Sequence, residues 1–236
     1  ESDPRFPASL DRVLRSISVD RHLSITDHGA WDIVHGMLAF GREFQIYDNE
    51  KREVPALDWL LMGGELRGWT IRRSSHGLDM VVAPGSRIDQ GHEDQWLGYL
   101  SQAGVSADER IIVDGDRYTI RDLIRQAQWD VHEGMDASWT LMAFSAYLPL
   151  DTEWLAKDGS KWTIERIVHM LSFRELADSP CGGTHCLYSL TVARNRYVAE
   201  GGSLAENPSN AWQAADEKIR RAIAKAKAFQ QSDGSL

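Results

Sequence analysis

The phrase Asp114-Gly115-Asp116-Arg117-Tyr118-Thr119-Ile120-Arg121-Asp122-Leu123-Ile124 returns 44 residues later as Asp158-Gly159-Ser160-Lys161-Trp162-Thr163-Ile164-Glu165-Arg166-Ile167-Val168. A fixed-period echo marks a repeat architecture, in which each copy of one supersecondary unit buries its apolar face against the next. Four apolar helical segments also open on a histidine: His35, His92, His132 and His185. Stacked helical hairpins would bring those histidines to one end of one cavity.

The turn and cap residues predict an all-α chain. Residues 1–26 read as a lead-in and helix. Pro4 and Pro7 keep the start irregular, and Ser9 or Asp11 caps a helix through Ile17. Residues 27–236 read as the repeat domain. Asp27 is the expected N-cap of a helix from Ala30 to Phe40 stopped by Gly41, and Pro55 opens a helix ending at Gly63-Gly64. The stretch 66–84 is the least helical and predicts a short β-hairpin or irregular insertion. Helices are then expected over 92–102, 120–131 and 136–148. Three more are expected over 164–176, 185–199 and 212–230, with Thr119, Thr163 and Thr184 as caps. Segments 136–148 and 185–198 are apolar almost all round, as helices buried on both sides are.

The ending Gln230-Gln-Ser-Asp233-Gly234-Ser235-Leu236 resembles the QW motif of squalene cyclases, with Leu236 in place of the aromatic residue. That resemblance implies an α/α toroid of the terpenoid-cyclase and protein-prenyltransferase kind. A full toroid takes about six hairpins. The chain supplies four to five, so an open arc or a domain incomplete at its C-terminus is expected. The phrases Gly91-His-Glu-Asp-Gln-Trp-Leu97, His132-Glu-Gly-Met-Asp-Ala-Ser-Trp139 and Cys181-Gly-Gly-Thr-His185 resemble an uncharacterised family of exported bacterial proteins with that fold. The resemblance covers residues 27–236 and implies export, with the leader absent from a chain that opens on Glu1. It brings no activity. Neither the D-x-D-D motif nor the D-D-x-x-D pair of the terpenoid enzymes is present, which disfavours terpene cyclisation.

A net charge of −9 argues against a nucleic-acid partner, which needs a clustered basic surface. No window approaches the roughly 18–20 apolar residues of a membrane span. The longest apolar stretch, Trp139 to Leu150, is broken by Thr140, Ser145 and Pro149. The expected partner is a small molecule or a peptide segment taken into the central cavity.

The candidate catalytic residues are His92, His132 and His185 as bases, with Glu133 and Asp136 as acids. His35, Trp96, Trp139 and Tyr188 are the candidate ligand-lining residues. His92 and His185 are placed in first helical turns, where the dipole favours neutral imidazole. For any single histidine the plainer reading is structural, as a donor to a neighbouring carbonyl that pins hairpin to hairpin. Cys181 and Cys186 are the only cysteines, and their spacing allows a disulfide, free thiols or a metal site. Cys181, His185 and Cys186 would hold zinc only if His132 or His92 completed the set. No other cofactor is expected, since G-x-x-x-x-G-K-[ST], G-x-S-x-G and H-E-x-x-H are all absent. Two functions remain open. One is a binding domain with a His- and Trp-lined central cavity. The other is a lyase or hydrolase using His and Glu/Asp there, with or without zinc.

Overall fold

A computed structural model describes residues 6–20, 22–82, 92–205 and 210–235. In chain order the elements are α1 (Phe6–Asp20), α2 (Ala30–Phe40), β1 (Gln45–Tyr47), β2 (Glu53–Pro55), α3 (Ala56–Leu61), β3 (Trp69–Arg73) and β4 (Leu78–Val82). There follow α4 (Gln95–Gln102), β5 (Arg110–Val113), β6 (Asp116–Thr119), α5 (Ile120–Asp130), α6 (Ser138–Tyr147), β7 (Glu153–Leu155), β8 (Lys161–Thr163) and α7 (Ile164–Phe173). Two short 3-10 turns, Leu176–Asp178 and Pro180–Gly183, lead to α8 (Thr184–Ala199) and α9 (Ala211–Phe229).

The all-α expectation is thereby corrected. The fold is mixed α/β, 51% helical with 15% in strands, and the strands among the described residues form four small antiparallel sheets. Each echoed phrase folds as a hairpin turn, the second strand, and the first turn of the next helix. At Asp114 (φ 52°) and Gly115 (φ 83°) both turn residues are left-handed, as a two-residue hairpin turn of this twist requires. The helical period after Thr119 and Thr163 masked this signal, because each strand is only three or four residues long. The repeated unit is therefore hairpin plus helix. It also occurs as β1–β2–α3, where Gln45 pairs with Pro55 and Tyr47 with Glu53, but without the Asp-Gly phrase. The hairpin expected within 66–84 is present as β3 and β4. Its last residues lie outside the described ones, as do Gly91, residues 206–209 and Leu236.

Several helix ends are also corrected. Helix α1 begins at Phe6, ahead of both expected caps. Gly29, not Asp27, is the N-cap of α2, and its N–H donates to Asp32 at 3.2 Å. Asp27 instead accepts from Ser24 in the preceding turn. Thr184 is the first helical residue of α8, with Gly183 before it as cap. Thr163 does cap α7, its Oγ1 accepting from the Arg166 N–H at 3.0 Å. At α5 the Thr119 N–H donates to Asp122 at 2.8 Å, so aspartate takes the part that Glu or Gln plays in the longer capping box.

The chain divides into two compact units. The first comprises Glu1–Arg73, Met80–Gln90 and Arg110–Tyr118. In it α2 buries Ala30, Ile33, Val34 and Met37, and α3 buries Ala56, Leu57, Leu60 and Leu61.

The second unit comprises Ser74–Asp79, Gly91–Glu109 and Thr119–Leu236. Helices α4, α6 and α8 lie side by side with α6 in the middle, while α7 packs against α9. Every residue of α6 from Ser138 to Ser145 is buried, as its all-round apolarity predicts. Helix α8 departs from that expectation: it buries only Cys186, Ser189, Leu190 and Ala193, and Tyr188 stays 46% exposed. Gly98 is the close-approach point of α4 on α6, since a Cβ there would fall 2.5 Å from the Trp139 ring. The C-terminal Gln230 bonds back to Gly234 in its own turn at 3.0 Å. No helix among the described residues is long and apolar enough to cross a membrane.

Candidate metal centre

Three ligating side chains converge in the second unit from the start of α4 and the approach to α8. His92 stands in the turn before α4, its carbonyl accepting from the Gln95 N–H at 3.2 Å, and not in the first helical turn as expected. Cys181 lies in the 3-10 turn before α8, and His185 is the second residue of α8 itself. One ligand atom from each lies within 4.8 Å of the others.

The local backbone explains how Cys181 is aimed. Cys181, Gly182 and Gly183 are successive left-handed residues, at φ 54°, 63° and 79°. A non-glycine residue held there costs on the order of 1–3 kcal/mol and persists only where its surroundings fix it. Two contacts do so. Thr184 Oγ1 donates to the Cys181 carbonyl at 3.1 Å. Gly183 packs so tightly on Leu176 that a Cβ would lie 2.8 Å from its side chain. The result is an exposed thiol whose Sγ lies 3.6 Å from His92 Nε2.

Aromatic packing holds the imidazoles. The His185 ring meets that of His92 edge-on, centroids 5.0 Å apart, and its neighbour Trp139 is centred 4.7 Å away. Tyr99 backs Trp139 at 4.6 Å. Burial pushes the Tyr99 hydroxyl up to about 12, against the lowering effect of the hydrogen bond from Gln95. Behind His92 lies Asp136. Its Oδ1 accepts from Ser138 Oγ at 2.6 Å. Its Oδ2 is buried, makes no hydrogen bond among the described residues, and lies 3.8 Å from His92 Nδ1.

The three residues could hold a metal ion, with zinc among the candidates. With Zn–S near 2.3 Å and Zn–N near 2.0–2.1 Å, a tetrahedral ion holds its sulfur and nitrogen ligands about 3.6 Å apart, the spacing found between Cys181 and His92. Two histidines and a cysteine are side chains of the type that zinc takes as ligands. Cys181 is exposed, while the two histidines are partly buried.

The remaining candidates fall elsewhere. Cys186 is buried with Sγ 3.7 Å from the Leu171 carbonyl oxygen, so it joins neither a disulfide nor the metal group. Burial raises its thiol above the ordinary value. His132 is exposed, with Nδ1 against the Asp130 carbonyl at 3.0 Å, and Glu133 is exposed and paired with Arg166 at 2.8 Å. Trp96 is buried in α4, and Tyr188 is on an open face. His35 belongs to the first unit, where its ring stands against the Trp31 carbonyl of its own helix at 2.6 Å. Of the candidates, His92, Asp136, Trp139, Cys181 and His185 come together. Ser138 was not foreseen, although a serine two residues after an aspartate is a turn signal. The pair Asp94 and Thr140 was also missed. Thr140 donates to the Asp94 carboxyl at 2.5 Å, bridging α6 to the N-terminal end of α4.

No family model, curated protein or solved structure matches this chain.

Proposed function

We propose that this chain is a zinc-dependent hydrolase whose ion is held by His92, Cys181 and His185, with the fourth position left to water and substrate. The observation that carries this reading is the convergence of three ligating atoms within 4.8 Å, open to solvent on the thiol side. Structural zinc sites close all four positions with protein ligands, whereas catalytic ones use three. Zinc held by His92, Cys181 and His185 would supply Lewis acidity towards a carbonyl or phosphoryl oxygen and a means of activating water near neutral pH. The residues do the positioning. Trp139 packs against His185, Asp136 stands behind His92, and the left-handed run at 181–183 brings the Cys181 Sγ to the same point.

A second reading has its own observation. Cys181, His92 and Asp136 stand in the order nucleophile, base and orienting carboxylate. The convergence of His185 on the same point favours the metal reading, since a thiol and its base need no second imidazole.

Metal analysis of the protein purified without chelator separates the two. One zinc per chain, lost in Cys181→Ala and His185→Ala, is the expected result. A zinc-free protein that takes up none on titration would overturn it. Rapid alkylation of Cys181 that depends on His92 but not His185 would then favour the thiol.

A further inference from the structure

We infer that Asp136 is a positioning residue for the metal centre, fixing His92 so that Nε2 faces the ion. The inference rests on the zinc reading above. Its ground is an asymmetry within one carboxylate. Oδ1 is occupied, accepting from the Ser138 hydroxyl at 2.6 Å and lying 3.4 Å from the Ser138 N–H. Oδ2 is buried with no hydrogen bond among the described residues, and the ring nitrogen facing it is His92 Nδ1 at 3.8 Å. A buried carboxylate oxygen without a donor is costly, and native proteins seldom leave one so. On the far side of the same ring, Nε2 faces Cys181. When Nε2 binds a metal, the ring's proton is confined to Nδ1, the nitrogen that faces Oδ2. A small rotation of the imidazole then closes 3.8 Å to hydrogen-bond distance. The relay runs Ser138, Asp136, His92, ion. Such an outer carboxylate sets the tautomer and ring orientation of a ligating histidine and raises its basicity.

The competing role is structural, because a carboxylate just ahead of α6 also favours the N-terminal end of that helix. The variant Asp136→Asn separates the two. Its amide oxygen can still accept from Ser138, but this turns the amide NH2 towards Nδ1–H, donor against donor. Zinc affinity, read by competition with a chromogenic chelator, is expected to weaken about 10- to 100-fold. In the cobalt-substituted protein the pH at which the visible spectrum titrates should shift as well. Affinity and titration unchanged within about threefold, with only the unfolding midpoint lowered, would leave Asp136 a helix cap and overturn the inference. Wild-type zinc binding by Cys181→Ala in the same assay would instead remove the metal reading itself. Should the Asn variant not fold, Ser138→Ala tests the same relay. A severalfold weaker affinity supports it, and an unchanged one overturns it.

Discussion

Cys181 and Cys186 belong to the same short segment and face opposite surroundings. The first thiol is exposed beside His92 Nε2; the second is buried against the Leu171 carbonyl. In metal-stripped native protein, one thiol should react rapidly with a disulfide reagent and the second only on unfolding. A denatured protein with no free thiol would show a disulfide. Two rapid thiols would place Cys186 at the surface.

Gly98 should not tolerate a side chain. A Cβ at this position falls 2.5 Å from the Trp139 ring, on the helix face that α4 presents to α6. Overpacking of this kind costs about 1–3 kcal/mol. Gly98→Ala should lower the urea midpoint at unchanged slope. Because Trp139 abuts His185, it should also weaken metal retention. A variant as stable as wild type would show that α4 and α6 do not meet here.

Lys218 of α9 closes the end of α7. Its ammonium donates to the carbonyls of Leu171 at 2.8 Å, Ser172 at 3.4 Å, and Arg174. Lys218→Met should cost about 1–3 kcal/mol at neutral pH, since the carbonyls lose a charged donor. Burial holds this amine below its ordinary value, so the folded chain releases the proton before the unfolded chain does. Between that lowered value and the unfolded one near about 10.4, the unfolded state binds more protons and stability rises with pH. That alkaline rise should be missing from the Met variant. Urea titrations at pH 7 and pH 10 check it, and parallel pH dependences would refute it.

Glu133 and His132 should be dispensable to the centre. Both are exposed, and the Glu133–Arg166 pair is of the surface kind worth about 0–1 kcal/mol. Alanine at either position should leave zinc stoichiometry at the wild-type value. A loss of metal in either variant would show that the site extends beyond the three proposed ligands.

The sequence exposed the helices well and the strands poorly. Thr163 and Pro55 were legible as helix starts because capping and the first turn are local events. The hairpin at 66–84 was legible, but β5–β6 and β7–β8 were not, because Asp-Gly turns flanked by three- or four-residue strands carry little periodicity, while the helix that follows carries much. The same limit governed the centre. His185 and Cys181 are neighbours in sequence, and the fold keeps them together in space. Whether His92 or His132 joined them was undecidable, because that depends on how α4 packs beside α6 and α8. Cys186 was grouped by adjacency, although consecutive helical residues point about 100° apart. The backbone then directs Cys186 into the core and leaves His185 at the centre.

His92 and Cys181 are separated by 89 residues. An ion bridging them closes a loop that contains α4 through α7. The centre would then act as a removable cross-link, so that chelation loosens the second unit as a whole as well as emptying a site. Free zinc at a hundred times its dissociation constant would add about 2.7 kcal/mol to unfolding, provided the unfolded chain does not bind it. The durability of this unit would thus follow the metal supply around it.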